Sequence, residues 1–392
     1  MPSDANIRTT VAYPQHSGGG AVLKSGVNSL ILECCHLWLE TILKHLLIFF
    51  TATLLASGCA ALPLEGSRPA HHLEDGTFVN TDGVAINKSF SDLIRWNWER
   101  TEPERSEFPV RFPEPESLRG EELHQITWIG HSTFLIQSGG FNVLTDPHFS
   151  ERASPFSFAG PLRVVPPAVA LDDLPDIHAV VISHNHYDHL DEQTVRQLVA
   201  RQPDHPPRFF VPLKLGEWFR DLGVESVVEL DWWQSAGLGN LKIHAVPVRH
   251  WSARGLFDRN TSLWAGWVLD FPRQRIVHVG DSGYSADFPA IAERFPGIDL
   301  ALIPVGAYDP RWFMKDAHMD PDEAVQVFKD LKATRAIGMH WGTFILTDEE
   351  MTAPPERLRA AMRREELPLD SFVVFQHGET QPLSEKKQDD VR

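Results

Sequence analysis

Short apolar runs rich in Val, Ile, Leu and Phe follow one another along the chain from residue 125 onward. Runs of this length and composition are typical of β-strands. They predict twelve strands, at residues 125–129, 133–137, 141–146, 178–183, 208–212, 227–230, 241–248, 263–270, 275–281, 299–306, 336–340 and 372–375.

Helical patterns occur singly between these strands or groups of strands. They lie at residues 191–202, 214–222, 320–333 and 354–366, and one more amphipathic pattern at 90–100 precedes the first strand. Strands with helices to cover them indicate a layered α/β domain. We therefore expect two sheets packed face to face with the helices outside.

Composition divides the chain into four parts. Residues 1–59 form a leader and residues 60–119, rich in Pro, Glu and Arg, form an N-terminal arm packed on the main domain. Residues 120–385 form that domain, and residues 386–392 form a tail.

The leader contains an uncharged apolar run at residues 46–58, directly before Cys59. Such a run is short for a bilayer span and fits the apolar core of a signal peptide. The stretch LLASGC resembles a bacterial lipobox and predicts cleavage before a lipidated Cys59. The alternatives are an uncleaved anchor and a buried helix. We hypothesise that translation starts near Leu43 and that residues 1–42 are absent from the native protein.

Charge and cysteine content narrow the chemistry. The chain of 392 residues has a formal net charge of −17 and no cluster of Lys and Arg, which argues against a nucleic-acid partner. All three cysteines, Cys34, Cys35 and Cys59, lie in the leader. A metal site in the main domain therefore has to use His, Asp and Glu.

The stretch SHNHYDHLD, from Ser183 to Asp191, follows a predicted strand. His184 and His186 are two residues apart, so in an extended segment both imidazoles point to one side and can hold one metal. Asp188 and His189 come next, where a turn can bring them to a second metal. The alternative is an ordinary polar loop.

Three further predicted strands end in a residue that can bind metal. His250, Asp281 and His340 each follow an apolar run, at the position where α/β sheets tend to present functional residues. Each of them alone could be an ordinary hydrogen-bonded residue at a strand end. Together with the first cluster they predict a metal centre.

These motifs resemble the metallo-β-lactamase superfamily. WIGHSTFLIQ, LTDPHFSERASP, SHNHYDHLD, GDSGY, GAYDPRWFMKDAHMDPDEAV and HWGTF narrow the resemblance to the branch of N-acyl-phosphatidylethanolamine-hydrolysing phospholipases D. They extend over residues 128–345, and residues 71–116 of the arm are similar to that branch as well. The resemblance implies a four-layer αββα sandwich with a two-metal site at one edge.

The resemblance also implies the roles of individual residues. His184, His186 and His250 would bind the first metal, Asp188, His189 and His340 the second, and Asp281 would bridge the two. Two divalent cations are implied, zinc first and iron or manganese as alternatives, because His and Asp ligands accept all three.

Further residues receive supporting roles. Asp146 would support the metal loop by hydrogen bonds without binding metal. His131 would order the neighbouring loop or line the site. His318 would donate a hydrogen bond to the phosphoryl oxygen or protonate the leaving group, with a helix-capping role as the alternative. Trp312 and Phe313 would form a wall for acyl chains, or belong to the core.

The expected activity is that of a phosphodiesterase of phospholipase D type. Asp188 would be catalytic by orienting a metal-bridging hydroxide that attacks phosphorus in N-acyl-phosphatidylethanolamine or a related membrane phospholipid. A lactonase or other acyl-ester hydrolase is the alternative, and an envelope lipoprotein without activity is a third. The lipobox predicts a lipid-anchored protein of the bacterial cell envelope, on the periplasmic side of the outer membrane; without the lipobox the location would be the cytoplasm. The sequence predicts no oligomeric state.

Overall fold

A computed structural model of the chain describes residues 69–120 and 122–384. The leader with Cys59, the first residues of the arm and the tail at residues 386–392 lie outside this part. In the described ranges, no helix is both long enough and apolar enough to cross a membrane.

The first sheet has seven strands in the order β14-β1-β2-β3-β4-β5-β6. Its strands are β1 (Gln125–Gly130), β2 (Thr133–Ser138), β3 (Phe141–Thr145), β4 (Ala179–Val181), β5 (Arg208–Pro212), β6 (Val227–Leu230) and β14 (Thr380–Pro382). Strands β14, β1, β2 and β3 pair antiparallel, whereas β3, β4, β5 and β6 pair parallel.

The second sheet also has seven strands, in the order β13-β12-β11-β10-β9-β8-β7. Its strands are β7 (Ser235–Leu238), β8 (Leu241–Val246), β9 (Gly266–Phe271), β10 (Gln274–His278), β11 (Leu300–Pro304), β12 (Arg335–Met339) and β13 (Phe372–Val374). Strands β7 to β10 form an antiparallel meander, and β10 to β13 are parallel.

The described residues contain seven α-helices. They are α1 (Phe90–Glu99), α2 (Glu192–Arg201), α3 (Gly216–Asp221), α4 (Asp287–Arg294), α5 (Arg311–Met314), α6 (Pro321–Asp330) and α7 (Ala353–Arg364). Most of them connect parallel strands, which need a crossover that covers the sheet.

Alternating side chains show how the layers pack. Phe134 and Ile136 belong to the core between the two sheets, whereas Leu135 packs with Val195 of α2 and Phe219 of α3 on the outer face of the first sheet. Because successive strand residues point to opposite faces, one apolar run serves two layers. The predicted α/β sandwich with helices outside its two sheets is confirmed.

Each of the twelve predicted strands overlaps a strand of the structure, but two more strands were missed. Strands β7 and β14 have four and three residues and lie at sheet edges. They bury little apolar surface, so their sequences contain no apolar run that would predict a strand. Helix α4 was missed as well, because Pro289 interrupts its pattern. That proline lies in the first turn of the helix, where its missing N–H leaves no hydrogen bond unmade.

Hydrogen bonds along the arm tie it to the sandwich, and two of these contacts lie near its start. His71 Nε2 and His72 Nε2 lie 2.7 and 2.8 Å from the two carboxylate oxygens of Asp231. The side chain of Asn80 donates to the carbonyl of His250 and accepts from its N–H, both at 3.1 Å. The second contact fixes the backbone of a predicted metal ligand.

Strand direction gathers the predicted site residues at one edge of each sheet. Strands β1, β3 and β4 run in one direction in the first sheet, and β8, β10, β11 and β12 share a direction in the second. The loops that follow their carboxyl ends therefore emerge together.

Candidate metal centre

The predicted ligands and the supporting residues His131 and Asp146 lie in loops that follow these strand ends. His131 follows β1, Asp146 follows β3, residues 184–189 follow β4, His250 follows β8, Asp281 follows β10 and His340 follows β12. The structure brings these residues together in one buried cluster of imidazoles and carboxylates, although they are up to 209 positions apart in the chain.

The first group consists of three imidazoles. His186 Nδ1 lies 2.8 Å from His184 Nε2 and 3.2 Å from His250 Nε2. The opposite nitrogen of His250, Nδ1, donates to the carbonyl of Ala317 at 3.0 Å, so its Nε2 carries a lone pair. Nitrogens bound tetrahedrally to zinc at 2.0–2.1 Å would be about 3.3 Å apart. The spacing of the group fits one such cation.

The second group pairs imidazoles with carboxylates. Asp188 Oδ2 lies 3.2 Å from His340 Nε2 and 3.5 Å from His189 Nε2. These donors are the mixed His and Asp set that zinc, iron and manganese accept.

Asp281 touches both groups. Its Oδ2 lies 3.1 Å from His189 Nε2 and its Oδ1 lies 3.2 Å from His340 Nε2. The same Oδ2 lies 3.9 Å from both His184 Nε2 and His250 Nε2 of the first group. Asp281 therefore has the position required of a carboxylate shared by two cations.

Burial sets the protonation of the two groups differently. It lowers the pKa of His184 and His250 well below its usual value and that of His186 to about 4, so these imidazoles are neutral and free to bind a cation. Burial would also lower the pKa of His340, but the charge of Asp281 raises it to about 9. In this group a bound cation would displace protons.

Asp146 lies outside the two groups of predicted ligands and orients them through hydrogen bonds. Its Oδ2 accepts hydrogen bonds from His189 Nδ1 at 2.9 Å and from His278 Nε2 at 2.8 Å. Ser183 adds its N–H to Oδ1 and its hydroxyl to Oδ2, at 2.6 and 2.8 Å. Sequence reasoning missed His278 and Ser183. His278 lies three residues before Asp281, and Ser183 directly precedes His184. This closeness to predicted ligands was the only sequence signal for a supporting role.

His131 lies closer to the cluster than a loop-ordering role requires. Its Nε2 lies 3.0 Å from Asp188 Oδ2, and its carbonyl accepts a hydrogen bond from the N–H of His340. Its N–H donates to the hydroxyl of Thr343 at 2.8 Å. His131 thus holds the carboxylate of Asp188 and the backbone of His340 at once.

Three of these residues adopt a backbone conformation that side chains disfavour. His131, Asp146 and His340 have φ angles of 53°, 36° and 62°. Such strain persists where the surroundings over-determine it, typically at functional sites. Gly280, with φ of 66°, meets a different need, because a Cβ there would lie 2.6 Å from the Cβ of Ser183. The glycine lets the loops that carry Asp281 and His184 approach each other.

His318 borders the cluster on the side of the second sheet. Its buried Nδ1 makes no hydrogen bond and lies 3.9 Å from Asp281 Oδ2. Trp312 is 39% exposed, and the guanidinium carbon of Arg95 lies 4.3 Å from the centroid of its ring. Phe313 is buried and stacks on Trp96 of α1. Only Trp312 therefore offers exposed ring surface, and the acyl wall stays a prediction.

Two divalent cations fit these residues. In the first group, the inner nitrogens of His184 and His250 both face His186 Nδ1. The second group places two carboxylates beside two imidazoles. Seven convergent side chains share one carboxylate, and the outer nitrogens of His184, His189 and His250 are hydrogen-bonded. This is the arrangement expected of a two-metal hydrolytic site.

Comparison with known proteins agrees with this geometry. A profile described as a beta-lactamase superfamily domain matches residues 141–341. The chain is 39% identical over 293 residues to an N-acyl-phosphatidylethanolamine-hydrolyzing phospholipase D 1 of Caenorhabditis elegans, covering 72% of this chain and 82% of the relative. It is 41% identical over 309 residues to an uncharacterized protein of Mycobacterium tuberculosis, covering 76% and 82%. The solved structure of an isothiocyanate hydrolase from Delia radicum gut bacteria has the same fold, with a TM-score of 0.53, 20% identity and coverage of 67% and 100%.

The protein is a metal-dependent hydrolase with the metallo-β-lactamase fold. Within that superfamily the chain belongs to the branch of N-acyl-phosphatidylethanolamine-hydrolysing phospholipases D.

Proposed function

We propose that the protein is a phosphodiesterase of phospholipase D type that hydrolyses N-acyl-phosphatidylethanolamine or a related phospholipid. The observation that carries the proposal is the convergence of seven donors into two groups that share Asp281. The relationship to the Caenorhabditis elegans phospholipase supports the choice of substrate.

In this proposal His184, His186 and His250 would hold one divalent cation. Asp188, His189 and His340 would hold the other, and Asp281 would serve both. The two cations, zinc first and iron or manganese as alternatives, would supply an activated water near neutral pH and stabilise negative charge on the phosphoryl group. The charge of two divalent cations would exceed that of the Asp188 and Asp281 carboxylates, so the site would attract the negative charge of a phosphodiester.

The residues of the chain direct the displacement. Asp188 orients the nucleophile by accepting its hydrogen bond, and His131 holds the Asp188 carboxylate at 3.0 Å. A bond forms from the water oxygen to phosphorus, the bond from phosphorus to the headgroup oxygen breaks, and one proton of the water ends on the headgroup oxygen. His318 donates a hydrogen bond to a phosphoryl oxygen or a proton to the leaving oxygen. The products are phosphatidate and an N-acyl amino alcohol.

The anchoring and location of the protein are part of the same proposal. A lipidated Cys59 would keep the enzyme in the cell envelope at the surface of its substrate. A single acyl chain binds membranes weakly, so stable anchoring needs a second contact. The proposed environment is the periplasmic side of the outer membrane.

The test is hydrolysis of N-acyl-phosphatidylethanolamine in mixed micelles by the purified full chain, with both products followed by mass spectrometry. Asp281→Asn should abolish turnover. Asp270→Asn is the matched control, because Asp270 carries the same charge on β9 and pairs with Arg275. Turnover of a lactone without turnover of the phospholipid would favour the acyl-ester alternative. A chain that holds less than one metal and turns over neither substrate would favour the lipoprotein without activity.

A further inference from the structure

Two adjacent histidines of the arm converge on one carboxylate of the main domain, outside the metal centre. His71 Nε2 lies 2.7 Å from Asp231 Oδ1, and His72 Nε2 lies 2.8 Å from Asp231 Oδ2. Successive side chains of an extended segment point to opposite sides. Here a turn, closed at 2.9 Å by the hydrogen bond from the N–H of His72 to the carbonyl of Pro69, brings both imidazoles to the same acceptor.

The three side chains have the donor types and the spacing of a site for a divalent cation. One ligand atom from each of His71, His72 and Asp231 lies within 4.8 Å of the other two. Ligands of a tetrahedral zinc lie about 3.3 Å apart, so the two imidazoles need to withdraw from the carboxylate by only about half an ångström to admit the ion. Two imidazoles and one carboxylate are a donor set that zinc uses where water completes its coordination.

The packing around these side chains holds them in position. The ring of His71 stacks on that of Trp232 with the centroids 4.4 Å apart, and the ring of His72 meets Phe78 edge-on at 5.0 Å. Asp231 Oδ1 also accepts a hydrogen bond from the N–H of Trp232 at 2.8 Å. Donors that are already oriented lose little conformational freedom when they bind, which favours affinity.

Solvent reaches the three donors, unlike the deeply buried ligands of the metal centre. The side chains of His71, His72 and Asp231 are 13%, 25% and 10% exposed. A cation can therefore enter without unfolding of the arm, and water can occupy its remaining coordination position.

The cluster also closes a turn of the arm that leads to the metal centre. The N–H of Val79 donates to the carbonyl of His71 at 3.0 Å, so residues 71–79 form a closed loop. The next residue, Asn80, makes the two hydrogen bonds that fix the backbone of His250. A cation at the cluster would hold this loop closed and so support the contact between Asn80 and His250.

We propose that His71, His72 and Asp231 form a further divalent-cation site, for zinc or a similar transition metal, that fastens the arm to the main domain. The site is separate from the two-metal centre and does not depend on the proposed function. Its two imidazoles favour zinc over magnesium and calcium, which prefer oxygen ligands. The bound ion would join the two segments by three coordinate bonds in place of two hydrogen bonds.

The experiment is hydrogen exchange, read by mass spectrometry, on the full chain stripped of metal with dipicolinate and then titrated with zinc. Zinc at ten times the dissociation constant of the site should slow exchange in residues 71–80 about tenfold, because it binds only the closed arm. His72→Gln should abolish this effect, since glutamine can still donate to Asp231 but is a poor zinc ligand. His178→Gln is the matched control and should respond as the wild type does, because His178 is exposed and contacts Asn142 of the first sheet. Magnesium should have no effect.

Further variants separate this site from the metal centre. His71→Gln should behave as His72→Gln does, and at saturating zinc each should hold one cation fewer than the wild type. Asp281→Asn should keep the zinc-dependent protection of residues 71–80. Loss of that protection in Asp281→Asn, with full protection in both Gln variants, would assign the effect to the centre and overturn the inference. So would a wild type that zinc does not protect, because hydrogen bonds alone would then hold the arm. If zinc protects the wild type but not the Gln variants and no phosphodiester is hydrolysed, the proposed function fails and the arm site stands.

Discussion

His189 Nδ1 lies 2.9 Å from Asp146 Oδ2, deep below the metal centre. Because an ionised carboxylate only accepts hydrogen bonds, Nδ1 is the donor and Nε2 faces Asp188 and Asp281. The contact fixes both the tautomer and the ring orientation of a predicted ligand. Outer contacts of this kind are a regular feature of metal sites that use histidine.

Asp146→Asn should disturb the centre without removing a ligand. The amide cannot accept all of the hydrogen bonds that His189, His278 and Ser183 donate to the carboxylate. We expect metal affinity or activity to fall about 10–100-fold. Metal content by mass spectrometry after dialysis against a competing chelator measures the loss. Unchanged content with unchanged activity would show that the contact does not orient His189.

Removal of metal should abolish hydrolysis and leave the fold intact, because the two-sheet core does not depend on the site. Treatment with dipicolinate, followed by far-ultraviolet circular dichroism and an activity assay, tests both statements. Adding zinc back at 100 times its dissociation constant should stabilise the chain by about 2.7 kcal/mol for each cation bound. Full activity at less than one tenth of a metal per chain would contradict the metal centre. Parallel refilling with zinc, iron and manganese identifies the active metal.

Substitution of His318 should separate chemistry from metal binding. A group that assists proton transfer contributes about 10²–10⁴-fold to the rate, so His318→Phe should lower kcat by that much while metal content stays unchanged. His318→Gln is the comparison. If it restores most of kcat, the imidazole acts as a hydrogen-bond donor, whereas a Gln variant as slow as the Phe variant favours proton transfer. Equal kcat in all three proteins would exclude a catalytic role.

His377 should make the fold sensitive to acid at a site away from the predicted ligands. Burial, helped by the charge of Arg163, lowers the pKa of His377 to about 3. In the unfolded chain its pKa is about 6.5, so the unfolded state binds more protons between these values. Stability is therefore retained above pH 6.5 and is lost as the pH falls toward 3.

Replacing His377 by Phe removes this loss and keeps a ring on Trp128, whose ring centroid lies 4.2 Å from that of His377. Between pH 7 and pH 5, wild type should lose about 2 kcal/mol more unfolding free energy than His377→Phe. Urea denaturation at the two pH values measures the difference. The predicted metal ligands titrate in both proteins and cancel. Parallel losses in the two proteins would show that His377 does not govern the slope.

Much of the architecture could be predicted because most strands bury both of their faces. The runs at β1 to β5 and β8 to β13 carry enough Val, Ile, Leu and Phe to identify strands from residue type alone. Edge strands such as β7 lack that signature, since none of the four residues of β7 is buried. Their pairing depends on a neighbour that the local sequence does not specify.

The predicted site divides in the same way. Four of the predicted ligands lie within six residues, so their spacing alone indicates a metal site. They are His184, His186, Asp188 and His189. His131 and His278 have no such local pattern. His131 meets Asp188 and His278 meets Asp146 because strands β1, β3, β4 and β10 all end at the same edge of the sandwich. This edge is a consequence of strand order and direction.

Composition and local spacing were thus enough to establish the layered α/β class, the choice of His and Asp over Cys, and the grouping of the first four ligands. Only the tertiary structure shows that Asp281 lies between two groups of donors and that His131 contacts the carboxylate of Asp188. It also shows that Phe313 is buried, whereas Leu256 and Phe257 are exposed. The reason is physical. Residue type and periodicity act over a few positions, whereas these contacts join residues brought together by sheet topology.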